Sequence, residues 1–190
     1  MQIANRFTPE DVFHYAYAVF HSPTYRARYA EFLKIDFPRL PLTTDTELFR
    51  KLGVLGEQLV AVHLLESVDA PADWKLHQDG AVMFQNTTVA SGFPKKELAD
   101  IDENGKGKVY INKSTYFDGV PNSVFNFQIG GYQVCHKWLK DRKDRELSEE
   151  DINHYGKIVV ALGETIRLMA EIDETIVHHG GFPLVGSQKK

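Results

Sequence analysis

The stretch Asp102-Glu103-Asn104-Gly105-Lys106-Gly107-Lys108-Val109-Tyr110-Ile111-Asn112 decides the fold class. Its first half is a turn, because Asp, Asn and Gly bond their own backbone and accept left-handed geometry. Its second half, Lys108 to Asn112, predicts a strand, so the turn is a hairpin tip. Alternation sets Tyr110, Asn112 and Ser114 on one face and Val109, Ile111 and Lys113 on the other. Ala81-Val82-Met83-Phe84 and Thr87-Thr88-Val89 read as further strands. From about Val68 to Val120 short apolar pieces are broken by Gly, Asn, Asp and Pro.

Helices flank this middle. Thr8 caps a first helix, with Pro9 at its first position and Glu10 and Asp11 at its positive end. Val12, Phe13, Ala16, Val19 and Phe20 recur at helical spacing. Ser22-Pro23 stops that helix and starts a second, striped by Tyr25, Tyr29, Phe32 and Leu33. Pro38 and Pro41 demand an extended connection. Thr44 or Asp45 opens a third helix, with Glu47 placed for a capping box and Leu48 to Leu65 carrying its core face. Gly53 and Gly56 inside it cost roughly 1 kcal/mol each, and close approach of another backbone is a reason to keep them. After Gly130-Gly131, Tyr132, Val134, Cys135, Trp138 and Leu139 form a short amphipathic stretch. Ser148-Glu149-Glu150-Asp151 caps a long final helix.

The expected fold is therefore α+β: helices flanking a small β-rich recognition region, with a long C-terminal helix. The expected division is residues 1–66 helical, 67–128 β-rich, 129–176 helical and 177–190 a flexible tail, as one compact unit or two small lobes.

The 190 residues are 43% hydrophobic and 25% charged, which suits a globular chain and argues against general disorder. The formal charge of -4 gives no global pull towards nucleic acid, so such a role needs a local basic patch. One cysteine, Cys135, excludes an intramolecular disulfide and a paired-cysteine zinc site. No apolar run reaches the length of a membrane span, and Met1 to Arg6 lack a signal pattern, so a cytoplasmic location is expected.

Charge is the most informative feature. Tyr132 to Arg145 holds Lys137, Lys140, Arg142, Lys143 and Arg145 against Asp141 and Asp144, a net +3. Glu146 to Ile176 holds eight acids against Lys157 and Arg167, a net -6. The basic turn suits phosphate contact. It equally suits a solvated turn with internal ion pairs. Asn112 could read a base edge and Tyr116 could stack or touch a phosphate; an amphipathic strand with polar outer residues accounts for the same pattern.

No catalytic motif emerges. There is no P-loop, nucleophile elbow or dinucleotide fingerprint. Cys135 and His136 point about 100° apart on a helix, so a dyad is not built, and Cys135 falls on the apolar face. His63 reads as a structural histidine, and His178-His179 as a poor metal site. No cofactor is expected.

Two stretches carry a resemblance. One is Phe13-His14-Tyr15-Ala16-Tyr17-Ala18-Val19-Phe20-His21-Ser22-Pro23-Thr24-Tyr25-Arg26-Ala27-Arg28-Tyr29, continuing into Phe37-Pro38-Arg39-Leu40-Pro41. The other is Val109 to Lys113, then Phe125-Asn126-Phe127-Gln128-Ile129-Gly130-Gly131-Tyr132-Gln133-Val134-Cys135 and Lys137-Trp138-Leu139-Lys140-Asp141-Arg142-Lys143. Together, from about Thr8 to Ile176, they resemble the C-terminal specificity domain of type ISP restriction-modification enzymes and related predicted helicases. The resemblance implies a target-recognition domain that holds duplex DNA, with methyltransferase, helicase and nuclease domains elsewhere in a longer polypeptide. It implies a binding module rather than an enzyme. The site residues chosen on that basis are Asn112, Lys113 and Tyr116 near base edges. Lys137, Arg142, Lys143 and Arg145 are chosen for phosphates, with Arg39 as a further candidate. The 74–94 region matches least, so its contacts are unassigned. The alternative is an intramolecular docking module for the motor or methyltransferase domains, using the acidic final helix. A free-standing hydrolase using Cys135 or a histidine pair is a third reading.

Overall fold

Thr8 caps the first helix as its sequence requires: its hydroxyl accepts from the Asp11 amide at 3.2 Å and the Asp11 carboxylate accepts from the Thr8 amide at 2.8 Å. The computed structural model describes residues 7–66, 68–83 and 87–184. They fall into two units, Met1–Glu66 with Thr165–Lys190, and Ser67–Glu164.

The first unit is helical. It holds α1 (Pro9–His21), α2 (Pro23–Arg28), α3 (Ala30–Leu33) and α4 (Thr46–His63), together with the second half of α7 (Glu149–His178). The expected second helix is split at Tyr29, whose φ of -106° and ψ of 18° interrupt the helical backbone. Helices α1 and α4 pack together, with Tyr15, Ala18, Val19, Leu48, Leu52 and Leu59 buried. Gly56 makes this possible, since a Cβ there would lie 1.9 Å from the His14 carbonyl oxygen. Asp45, not Thr44, caps α4, accepting from the Glu47 and Leu48 amides. Glu47 consequently forms no box and pairs with Lys51 at 2.8 Å.

The second unit is built on an antiparallel sheet. Its strands are β1 (Leu76–Gln78), β2 (Ala81–Val82), β4 (Lys106–Tyr110) and β5 (Thr115–Pro121), in the order β2-β1-β5-β4. Phe84, the end of one expected strand, lies outside the described residues. The Asp102–Lys106 turn is held by the Asp102 carboxylate, which accepts from the Asn104 and Lys106 amides at 2.9 Å each. An antiparallel bridge between Ala99 and Lys108 closes it as a hairpin tip. Two small pairs complete the β structure: β3 (Thr87–Thr88) with β8 (Glu146–Leu147), and β6 (Gln128–Ile129) with β7 (Tyr132–Gln133).

Helix α5 (Asn122–Phe125) follows directly on β5, while α6 (Val134–Lys140) and the first half of α7 join the sheet through aromatic rings. Trp74 stacks on Phe117 at 5.3 Å, and Tyr155 meets Phe117 at 4.7 Å and Trp138 at 5.3 Å. The Trp74 indole donates to the Ile152 carbonyl at 3.1 Å, so its polar edge is satisfied while its ring is packed. Tyr132 belongs to β7 rather than to a helix. Gly130 and Gly131 have φ of +58° and +83°, a two-residue hairpin turn that pairs Ile129 with Tyr132, so α6 begins only at Val134.

Candidate nucleic-acid interface

A short strand connects the two groups of residues that the sequence singles out in this unit. Strand β3 pairs Thr87 with Leu147 and Thr88 with Glu146. Beyond it, the Val89 amide donates to the Arg145 carbonyl at 3.1 Å and the Asp144 amide donates to the Val89 carbonyl at 2.8 Å. On the other side the Ala90 amide donates to the Ile111 carbonyl at 2.8 Å, and the Asn112 side-chain Nδ2 donates to the Thr87 hydroxyl at 3.3 Å. Residues 87–90 thus brace the Ile111–Lys113 segment after β4 against the Lys143–Leu147 segment.

Within that brace the side chains have different tasks. The Asn112 side-chain Oδ1 accepts from the Ser114 and Thr115 amides at 3.0 and 2.8 Å, so it shapes the β4–β5 connection. Lys113 projects into solvent with no ion pair among the described residues. Tyr116 is only 5% exposed. It sits on a central strand, with His77 stacked at 5.7 Å, Tyr110 at 5.0 Å and the Lys108 ammonium 4.9 Å from its ring centroid. Those neighbours occupy its ring, leaving no open face for a base.

The basic turn is laced by ion pairs. Lys137 pairs with Asp141, and Lys143 with Asp144 at 3.4 Å. Arg142 packs its guanidinium 3.4 Å from the Trp138 ring centroid, donates to the Trp138 carbonyl at 3.1 Å and reaches Asp151 at 3.2 Å. Arg145 also reaches Asp151 at 3.2 Å but keeps its side chain 61% exposed. Burial pushes the Asp151 carboxyl up. The Ser148 amide and hydroxyl together with Arg142 and Arg145 outweigh it and hold the group below the usual carboxylate value. Arg142 therefore anchors the turn, while Lys143 and Arg145 present charge to solvent. Arg39 belongs to the other unit, where it lies 4.8 Å from the Phe32 ring centroid and 3.4 Å from Asp36.

Sequence reasoning passed over a groove of about 690 Å³ beside α6, lined by Lys96, Gln128, Tyr132, His136, Lys137 and Lys140 among others. Its signal was the Gly-Gly pair flanked by Gln-Ile and Tyr-Gln, which reads as a hairpin once the helix is started later.

The described residues contain no group of three or more His, Cys, Asp or Glu able to hold a metal ion. Cys135 is buried, and burial pushes its thiol up to about 12, the wrong direction for a nucleophile. His63 is satisfied within its unit, its two ring nitrogens lying 2.7 Å from the Tyr17 hydroxyl and 3.1 Å from the Thr165 hydroxyl. His179 pairs with Asp45 at 2.8 Å. No helix among the described residues is long and apolar enough to cross a membrane.

Comparison with known proteins adds a family. The model of the Type ISP C-terminal specificity domain matches residues 2–171. No curated protein matches the chain. Among solved structures, the DrdV–DNA complex is similar at 23% identity over 87% of this chain, with a TM-score of 0.62. The ATP-dependent Type ISP restriction-modification enzyme LlaBIII bound to DNA is similar at 17% identity over 88%, with a TM-score of 0.63. A nuclease-deletion mutant of the Type ISP enzyme LlaGI, in complex with a DNA substrate mimic, is similar at 19% identity over 87%, with a TM-score of 0.53. These likenesses concern the fold. The chain spans only 18%, 11% and 16% of the lengths of those three proteins.

Proposed function

Because the chain belongs to the Type ISP C-terminal specificity domain family, we propose that it recognises a short duplex DNA target on behalf of a longer restriction-modification polypeptide. The methyltransferase, helicase and nuclease chemistry belongs to other parts of that polypeptide, and this domain supplies binding without catalysis. The cytoplasm, where such a polypeptide meets DNA, is the compartment this reading implies. The three similar solved structures hold DNA or a DNA mimic, which supports the reading.

The observation that carries the location is the brace at Thr87–Ala90, which holds the β4–β5 connection carrying Lys113 and the Lys143–Arg145 turn together. Lys113, Lys143 and Arg145 are exposed cations on a chain whose net charge is -4, so local geometry must supply the attraction to phosphate. Lys137 extends the same basic path along α6. Arg142 positions the turn, and Asn112 shapes the β4–β5 connection that carries Lys113. Arg39, exposed in the helical unit, stays a separate candidate for phosphate contact.

Selection from randomised duplex DNA with the purified chain at low salt tests this. Enrichment of a short site whose binding weakens steeply with salt is the expected result. Absence of binding to any duplex would overturn it in favour of a docking role.

A further inference from the structure

The β6–β7 hairpin ends on two apolar side chains turned outward. Ile129 is 52% exposed and Tyr132 is 62% exposed, and the two are direct cross-strand partners beside the Gly130-Gly131 turn. Each side chain leaves more than half of its surface in solvent, an exposed apolar pair at a hairpin tip of the kind that marks a contact surface. The hairpin is nonetheless firmly placed. Gln133 donates to the Lys96 carbonyl at 3.2 Å and to the Asn126 side-chain oxygen at 2.9 Å, and its strand runs directly into α6.

The neighbours give the surface its sign. Lys96, Lys137, Lys140 and His136 line the adjoining groove, against Glu97 and Asp141. Asp141 is taken by Lys137, whereas Lys96 and Lys140 have no ion pair among the described residues. At His136 burial is the main cause of a lowered pKa; the Lys140 and Lys96 cations add to it and the Pro94 carbonyl partly offsets it. Lys137 and Lys140 also lead, one helical turn on, into the Lys143–Arg145 turn.

We propose that the β6–β7 hairpin is a second DNA-reading element, entering a groove of the duplex with Tyr132 and Ile129 against sugars or base edges while Lys96 and Lys140 hold the flanking phosphates. A two-stranded ribbon is of a size that the major groove admits, and apolar tips on such ribbons also wedge into base steps. The positive groove favours a polyanion over an apolar protein surface. The inference rests on the duplex-DNA reading above and adds to it the element that discriminates between sequences.

The two kinds of contact separate experimentally. The wild-type chain, Tyr132→Ala, Tyr132→Phe and the double variant Lys96→Gln/Lys140→Gln are compared on the selected duplex and on a scrambled duplex, across a salt series. The Lys96→Gln/Lys140→Gln variant is expected to reduce the slope of log K against log salt by about 2, equally on both duplexes. Tyr132→Ala is expected to cut the preference for the selected duplex about tenfold and leave the slope unchanged, with Tyr132→Phe largely restoring it. All four proteins are compared under conditions where their melting temperatures are unchanged. Wild-type slope and preference in both the double variant and Tyr132→Ala would overturn the hairpin assignment while leaving DNA binding intact. Failure of the wild-type chain to bind any duplex would overturn the DNA reading and this inference together.

Discussion

The Arg142 guanidinium reaches the Asp151 carboxylate at 3.2 Å while sitting over the Trp138 ring, which ties the basic turn to the first turn of α7. The Asp151 side chain is 11% exposed and also closes the capping box with Ser148. Removing its charge leaves Arg142 part-buried and unpaired. Asp151→Asn is expected to destabilise the chain by about 2–4 kcal/mol at pH 7. The two tryptophans, Trp74 and Trp138, both report on this unit, so urea unfolding followed by their fluorescence measures it. The Asp151 carboxyl lies below its ordinary value when folded, so its stabilisation is full above the unfolded value of about 3.9 and is lost as pH falls through the folded one. The difference between wild type and variant should accordingly shrink in acid. Equal unfolding midpoints at pH 7 would show that the pair contributes nothing.

Gly56 and Gly53 offer a matched contrast on α4. A Cβ at Gly56 would strike the His14 carbonyl at 1.9 Å, whereas at Gly53 the nearest atom is the Asp11 carbonyl oxygen at 3.9 Å. Gly56→Ala is expected to cost about 1–3 kcal/mol by forcing α1 and α4 apart. Gly53→Ala is expected to be neutral or to stabilise by up to about 1 kcal/mol through helix propensity. Thermal melts followed by circular dichroism distinguish the two, and a stabilising Gly56→Ala would refute the packing described.

Burial lowers the pKa of both His63 and His21, whose rings lie 5.3 Å apart. Their mutual charge adds to this at His63. At His21, the Tyr17 carbonyl partly offsets burial, and Arg26 reinforces it. A histidine depressed in the folded state takes its proton more readily when unfolded. Its neutral form therefore supports stability above about pH 6.5, and that support drains away as pH falls towards the folded value. Proton NMR titration should place both imidazoles below the free value, and His63→Gln should flatten the stability profile below about pH 6.5. Midpoints at or above the free value would contradict the buried network.

Cys135 should resist thiol reagents. With its pKa pushed up to about 12 by burial, the native protein is expected to stay unlabelled at pH 8 and to label fully in urea. Rapid labelling of the native chain would revive a nucleophilic role.

The caps at Thr8, Ser22 and Ser148 were legible because a cap is local: hydroxyl, acid and apolar stripe lie within a few residues. The Gly56 contact was legible in kind, since a costly glycine in a helix points to a close neighbour, though nothing in the sequence identified His14. The α+β class and the long final helix followed from the same local patterns. Strand pairing was not legible at the one point that matters most here. Thr87 reads as a strand, yet its partner Leu147 lies 60 residues on, and only that pairing brings the Lys113 and Arg145 segments together. Tyr116 reads in sequence as free to stack or touch a phosphate, and nothing local shows that His77 and Tyr110, on the strands to either side, lie against its ring. Charge counting found the basic turn and offered internal pairing as one reading. It could not show that Asp151, nine residues away, would claim Arg142 and leave Arg145 largely exposed.

The most direct test of DNA recognition through the braced surface is the salt dependence of duplex binding by the wild-type chain and by the triple variant Lys113→Gln/Lys143→Gln/Arg145→Gln. Each lost phosphate contact lowers the slope by about 0.9, so a reduction of about 2–3 with weaker binding at every salt concentration is the predicted result. A wild-type slope and affinity in the folded triple variant would contradict it.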